Sequence, residues 1–204
     1  DVSYARELGY AIKHLGIART SLSGVELRVH PTLVPEQCLI AGVNDVSNAV
    51  MVNADSVGTT LFYGPGAGSE PTASAVIADI VDVARTMDSY PDSWVPPLGI
   101  PSQSLQSLSI MNIENVETGF YIRFSALDKP GVLSTVTTIM GDAGISIEAI
   151  IQREQPAGES YVNVVILTNV TKEKYLDEAV KHIEELDTVR GYVNFIRVEY
   201  LDQA

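Results

Sequence analysis

Phe120-Tyr-Ile-Arg-Phe-Ser-Ala-Leu127, Asp128-Lys-Pro-Gly131 and Val132-Leu-Ser-Thr-Val-Thr-Thr-Ile-Met-Gly-Asp-Ala143 decide the fold of the second half of the chain. The first run alternates and reads as a strand. The third places Leu133, Val136, Met140 and Ala143 on one helical face. Downstream, Ile145–Gln152 and Tyr161–Thr168 read as strands joined by a turn containing Pro156-Ala-Gly158. Lys172–Leu186 is a predicted helix with apolar Leu176, Ala179, Val180, Ile183 and Leu186, and Val193–Leu201 is the last strand. The order is βαββαβ, a ferredoxin-like sheet with both helices on one face.

Asp128-Lys-Pro-Gly131 sits between a strand and a helix, where a zwitterionic amino acid is chemically suited. Backbone N–H groups of Gly131, Val132 and Leu133 can receive a carboxylate, and Asp128 an ammonium group. Gln152 or Ser146 on the second strand is the candidate polar partner; the alternative is a strand-to-helix turn that binds no ligand. Along Tyr161–Thr168, Val162, Val164 and Ile166 face one way and Val165 and Leu167 the other. With helices on one face only, the second face would be left open and apolar. That predicts a homodimer, with sheets joined side by side or face to face.

Working back from that unit, residues 89–118 break the pattern. Pro91, Pro96, Pro97 and Pro101 and six serines between Ser89 and Ser109 read as a connector, with a short strand around Leu108–Ile113. Before it, Asp1–Lys13 reads as a helix carrying Leu8 and Ile12. Val25, Leu27 and Val29 alternate with Glu26, Arg28 and His30 in an extended run, Val25–Val34. Leu39–Val43, Ala49–Asn53 and Thr59–Tyr63 read as short extended pieces. Gly64-Pro-Gly-Ala-Gly68 then precedes a long helix to about Met87, with Ser69 as its expected N-cap. The division is 1–88, 89–118 and 119–204, and the class is α+β, a mixed or antiparallel sheet with helices followed by the βαββαβ unit.

The chain has 204 residues, 13 basic and 26 acidic, for a formal charge of −13. Such an acidic chain is ill suited to nucleic acid or anionic membranes. One cysteine, Cys38, excludes an internal disulfide framework, and His14, His30 and His182 lie too far apart for a metal-binding pair. Cys38 reads as a small core residue, and His30, before Pro31, as a structural hydrogen-bonded histidine. Arg6 and Lys13 read as charges on the first helix. The glycine run is not a G-x-G-x-x-G fingerprint, since the third glycine would fall at Ser69. It permits close backbone approach to a ligand ahead of a helix N-terminus.

The first half resembles the C-terminal portion of the catalytic region of homoserine dehydrogenase. The resemblance lies in Tyr4-Ala-Arg-Glu-Leu-Gly-Tyr-Ala-Ile-Lys13, Glu26-Leu-Arg-Val-His-Pro-Thr-Leu-Val-Pro35, Asn44–Ala49, and Phe62-Tyr-Gly-Pro-Gly-Ala-Gly68 with Pro71-Thr-Ala-Ser-Ala-Val76. The second half resembles an ACT domain, an amino-acid-sensing module, in Asp128-Lys-Pro-Gly131-Val-Leu133 and Gly144-Ile-Ser-Ile147. The resemblance implies an enzyme that interconverts L-homoserine and L-aspartate 4-semialdehyde with NAD or NADP, on the route to threonine, isoleucine and methionine. It implies a cytoplasmic protein whose dinucleotide domain and catalytic Lys and Asp precede this chain, so that no catalytic residue falls within it and no cofactor is expected on it alone. Gly68 and Thr72 are the cofactor-side positions so implied. Asp128, Gly131, Val132, Leu133 and Gln152 are the effector positions, with L-threonine as effector and a homodimer or higher homo-oligomer through the ACT sheets and the catalytic region. The rival reading is a stand-alone ACT-type regulatory protein, which leaves residues 1–88 unexplained.

Overall fold

A glycine ends the first helix early. In the structure, a computed structural model describing residues 1–21, 24–87, 98–153 and 159–201, α1 covers only Val2–Glu7. Gly9 adopts φ +82°, and its N–H donates to Arg6 O at 3.0 Å. This left-handed residue terminates the helix expected to reach Lys13. The chain continues as β1 (Tyr10–Ser21), which pairs antiparallel with β2 (Gly24–Pro35) over twelve residue pairs. The Leu8/Ile12 spacing that suggests a longer helix is instead split between a helix end and a strand. Of the remaining sequence features, Pro91, Pro96, Pro97 and Pro156–Gly158 lie outside the described residues.

The residues form two compact units, Asp1–Ala41 with Ser109–Ala204, and Gly42–Leu108. The units cut the chain differently from the linear division at 88 and 118. After β2 the chain makes a 3-10 turn at Leu39–Gly42, where an extended piece was expected. Cys38 is buried there with Val34 and Ala41. The smaller unit holds β3 (Ser47–Ala54) and β4 (Gly58–Pro65), an antiparallel pair, and α2 (Ser69–Thr86). No residue of α2 is buried, and Val76, Ile77 and Ile80 are each more than half exposed.

In the larger unit, the expected strand near Leu108–Ile113 reduces to one bridge between Ile110 and Val25, followed by a 3-10 turn at Ile113–Asn115. Then come β5 (Glu117–Leu127), α3 (Val132–Asp142), β6 (Ile147–Gln152), β7 (Tyr161–Thr168), a two-residue strand β8 (Thr171–Lys172), α4 (Glu173–Glu184) and β9 (Val189–Val198). The βαββαβ order stands. The sheet runs β1-β2-β9-β5-β7-β6, with β8 pairing the start of β5. β2 joins β9 in parallel through Thr32↔Arg197 and Leu33↔Val198, so a sheet edge that the four-stranded unit would leave free is occupied.

Side chains pack on both faces of its β9-β5-β7-β6 part. On the helix side, Phe120, Ile122, Phe124, Val164 and Ile166 pack with Val136 and Met140 of α3 and Leu176 and Ile183 of α4. On the other side, Tyr121, Val165, Leu167 and Val198 are buried with Ala5 and Tyr10, and Tyr4 and Leu8 pack against them. The open apolar face expected from the sequence is therefore closed by α1 and the start of β1. The residues of 1–12 bury what a partner was expected to bury.

Candidate functional site

The end of β5 is held from two sides. Leu127 N–H donates to Thr188 O at 2.8 Å and Asp128 N–H to Ser160 O at 3.1 Å. Gly131, at φ +92°, turns the chain into α3 and stands at its N-cap position without a side-chain cap. A Cβ there would meet nothing within 4 Å, so glycine is favoured by backbone conformation alone. Val132 is buried and ties the helix start to the core. Its N–H is not available as expected, because it reaches Lys129 O at 3.3 Å. The following N–H groups, of Leu133 and Ser134, lie in the first turn, where a helix supplies no acceptor.

Gln152, at the end of β6, points its amide to this corner. Its Nε2 donates to Asp128 Oδ1 at 3.1 Å, and both residues are exposed. Ser146, the other sequence candidate, bonds elsewhere: its Oγ accepts from Asn169 Nδ2 at 3.0 Å. The corner thus brings together a carboxylate, a carboxamide and the positive end of a helix dipole. It can hold an ammonium group at the carboxylate, in exchange for the Gln152 amide, and a carboxylate at the helix start.

The glycine loop lies in the smaller unit. Gly66 N–H donates to Val46 O at 2.8 Å, and a Cβ on Gly66 would collide with the Asn48 side-chain amide, so Asn48 packs directly on the loop. Gly68, at φ +124°, is the N-cap of α2; the expected cap, Ser69, is the first helical residue. A Cβ on Gly68 would press on Pro71 Cδ at 3.2 Å. Thr72 N–H closes the first turn on Gly68 O at 3.1 Å. Gly68 and Thr72 are therefore joined, and local geometry alone accounts for the glycine. Asn48 brings a side-chain amide to the loop, and the sequence has no Lys or Arg from Val29 to Ala84.

A second polar cluster lies inside the larger unit. Arg28 is fully buried, donates to Glu199 Oε1 at 2.5 Å and is ion-paired with Glu26; Arg19 reaches Glu199 Oε2 at 3.1 Å. His30 Nδ1 lies 3.0 Å from both Pro31 O and Thr32 Oγ1, in agreement with a structural role. Burial lowers the His30 pKa, and the nearby Arg197 and Arg28 lower it further, against the pull of the Pro31 carbonyl. On the α1 side of the sheet, Tyr121 is pushed up to about 12, chiefly by burial. Sequence reasoning missed Arg153, whose guanidinium pairs with Glu7 and lies 4.7 Å from the Tyr4 ring centroid. Its adjacency to Gln152 was the available sign.

No helix among the described residues is long and apolar enough to cross a membrane. Residues 1–81 match the homoserine dehydrogenase family and residues 120–188 the ACT domain. The chain is 50% identical over 202 residues to the homoserine dehydrogenase of Pseudomonas aeruginosa, covering 99% of this chain and 46% of that protein. It is 45% identical to that of Neisseria gonorrhoeae, over 98% of this chain and 46% of that protein. Among solved structures, a homoserine dehydrogenase from Thiobacillus denitrificans superposes with a TM-score of 0.88 at 51% identity, over 98% of this chain and 44% of that one. The chain thus spans about half the length of the curated relatives it matches.

Proposed function

Because the chain belongs to the homoserine dehydrogenase family over residues 1–81 and carries an ACT domain over 120–188, we propose that it is the regulatory part of such an enzyme. In this reading it follows the dinucleotide domain and the catalytic Lys and Asp of a longer cytoplasmic protein. That protein interconverts L-homoserine and L-aspartate 4-semialdehyde. Alone, the 204-residue chain does not turn over substrate. Hydride chemistry would be supplied by NAD or NADP held mainly elsewhere. The exposed turn at Gly68 and Thr72, with first-turn N–H groups of α2, fits a backbone contact to an anionic group of that cofactor. The stand-alone reading leaves the match over 1–81 without explanation.

The observation that carries the regulatory reading is the convergence of Asp128 and Gln152 at the start of α3. L-threonine, the zwitterionic end product, would place its ammonium at Asp128 and its carboxylate near the N–H groups of Leu133 and Ser134. Gly131 supplies the turn, and Val132 the buried anchor. The site is open, so a second copy would have to shield it, and we place the homodimer at this edge of the sheet, with a further contact through the catalytic region. The exposed apolar row of α2 supports the latter. The reading of 1–88 as catalytic-region segment, 89–118 as connector and 119–204 as regulatory domain belongs to this proposal.

Titration calorimetry of the chain with L-threonine tests it. Saturable heat is expected, and it should be lost in Asp128→Ala. Absence of binding at millimolar threonine would remove the effector assignment. Reduction of NAD or NADP by the chain in the presence of L-homoserine would overturn the inactivity.

A further inference from the structure

α1 is tied across the sheet at both ends, and the strands it is tied to are those that build the Asp128 corner. At its N-terminal end, Asp1 Oδ1 accepts from Tyr121 Oη at 2.9 Å and pairs with Arg123, both on β5, which runs on into Asp128. At its C-terminal end, Glu7 pairs with Arg153, the residue after Gln152, and the same guanidinium covers the Tyr4 ring. Between these anchors Ala5 is buried on Tyr121, Val165 and Leu167.

Gln152 and Arg153 are consecutive, so they leave the strand toward opposite faces. One turns to Asp128 on the helix side, the other to α1. Among the described residues, β6 is an edge strand and pairs with β7 alone in the sheet. A strand with one neighbour moves at the cost of fewer ladder bonds than a central one.

We propose that α1 is the element through which occupancy of the Asp128–Gln152 corner is transmitted, with Arg153 as the positioning residue that couples β6 to it. The inference rests on the effector reading above. An ammonium group at Asp128 competes with the Gln152 amide for the same carboxylate oxygen. Releasing Gln152 changes the seat of β6, and Arg153 carries that change to Glu7 and Tyr4. The device requires the corner to bind its ligand with different affinity in the two seatings. It gives the signal a route through residues 1–8, independent of the connector at 89–118.

Hydrogen exchange on the chain, with and without millimolar L-threonine, tests this in two arms. Without ligand, Arg153→Gln should speed exchange at the amides of Leu8 and Gly9, which bond to the α1 carbonyls of Tyr4 and Arg6, by about two- to fivefold, the scale of a surface ion pair, while β7 amides hold. Unchanged α1 exchange would overturn the coupling. With ligand, wild-type α1 exchange should shift, and Arg153→Gln should bind threonine about as tightly yet lose the shift. Threonine bound with α1 unmoved in the wild type overturns the transmission alone. No binding overturns the effector reading, and the transmission with it.

Discussion

The guanidinium of Arg28 donates to the carboxylate of Glu199 at 2.5 Å, both fully or almost fully buried, joining β2 to the residue that follows β9. Glu26 and Arg19 complete a cluster of two acidic and two basic groups. Along β2 the polar row Glu26, Arg28, His30 and Thr32 is inside, while Leu27 and Val29 are 50% and 72% exposed. The strand is inverted relative to an ordinary half-buried strand, and the charges compensate one another within the cluster.

Removing one partner of that cluster should be costly. Glu199→Ala leaves Arg28 buried beside Glu26 alone, and is expected to destabilise the chain by about 3–5 kcal/mol in urea unfolding. Replacing Glu26, Arg28 and Glu199 together by Leu, Met and Leu should cost far less than Glu199→Ala. A triple variant as unstable as the single one would show that the cluster shapes the fold beyond its charge balance.

Stability should fall with pH below the ordinary histidine value of 6.5 because of His30. Its folded pKa is lowered, so between the folded and unfolded values the unfolded chain binds more protons. The stabilisation is complete above 6.5 and is lost as pH drops through the folded value. Urea midpoints at about pH 7.5 and pH 5.5 should therefore differ less in His30→Gln than in the wild type.

Two glycines of the α3 region should respond oppositely to alanine. Gly131→Ala meets no steric obstacle but must hold φ +92°, and is expected to cost about 1–2 kcal/mol. Gly141 lies within α3 with open space at its Cβ. Gly141→Ala is expected to gain up to about 1 kcal/mol. Thermal unfolding of both variants checks the pair.

Phe124, fully buried between the β5 backbone and the helices, anchors the larger core. Phe124→Ala should cost about 3–5 kcal/mol, measured by urea unfolding. A much smaller loss would mean that the surrounding side chains collapse into the space.

Much of the second half was legible because its periodicities are clean. Tyr161–Thr168 and the helix stripe of Leu176, Ala179, Val180 and Ile183 stand as read. The turn at Gly131 was legible too, since a strand-to-helix loop favours glycine there, and the structure brings Gln152 to Asp128. Gln152 rather than Ser146 reaches Asp128 because β6 runs antiparallel to β7: Gln152 lies near the start of β7, where β5 ends, and Ser146 at the far end beside Asn169.

The amino-acid order by itself determined which segments are strands and helices in the βαββαβ unit, its acidic character and the chemistry of the Asp128 loop. These follow from spacing along the chain, where each residue's face is set by its immediate neighbours. Only the tertiary structure decided that α1 closes the second sheet face, that β2 pairs in parallel with β9, and that the polar row of β2 lies inside. Each depends on a partner distant in sequence: Ala5 with Val165, Thr32 with Arg197, Arg28 with Glu199. Local periodicity records that a side is apolar or polar, but not what arrives to cover it.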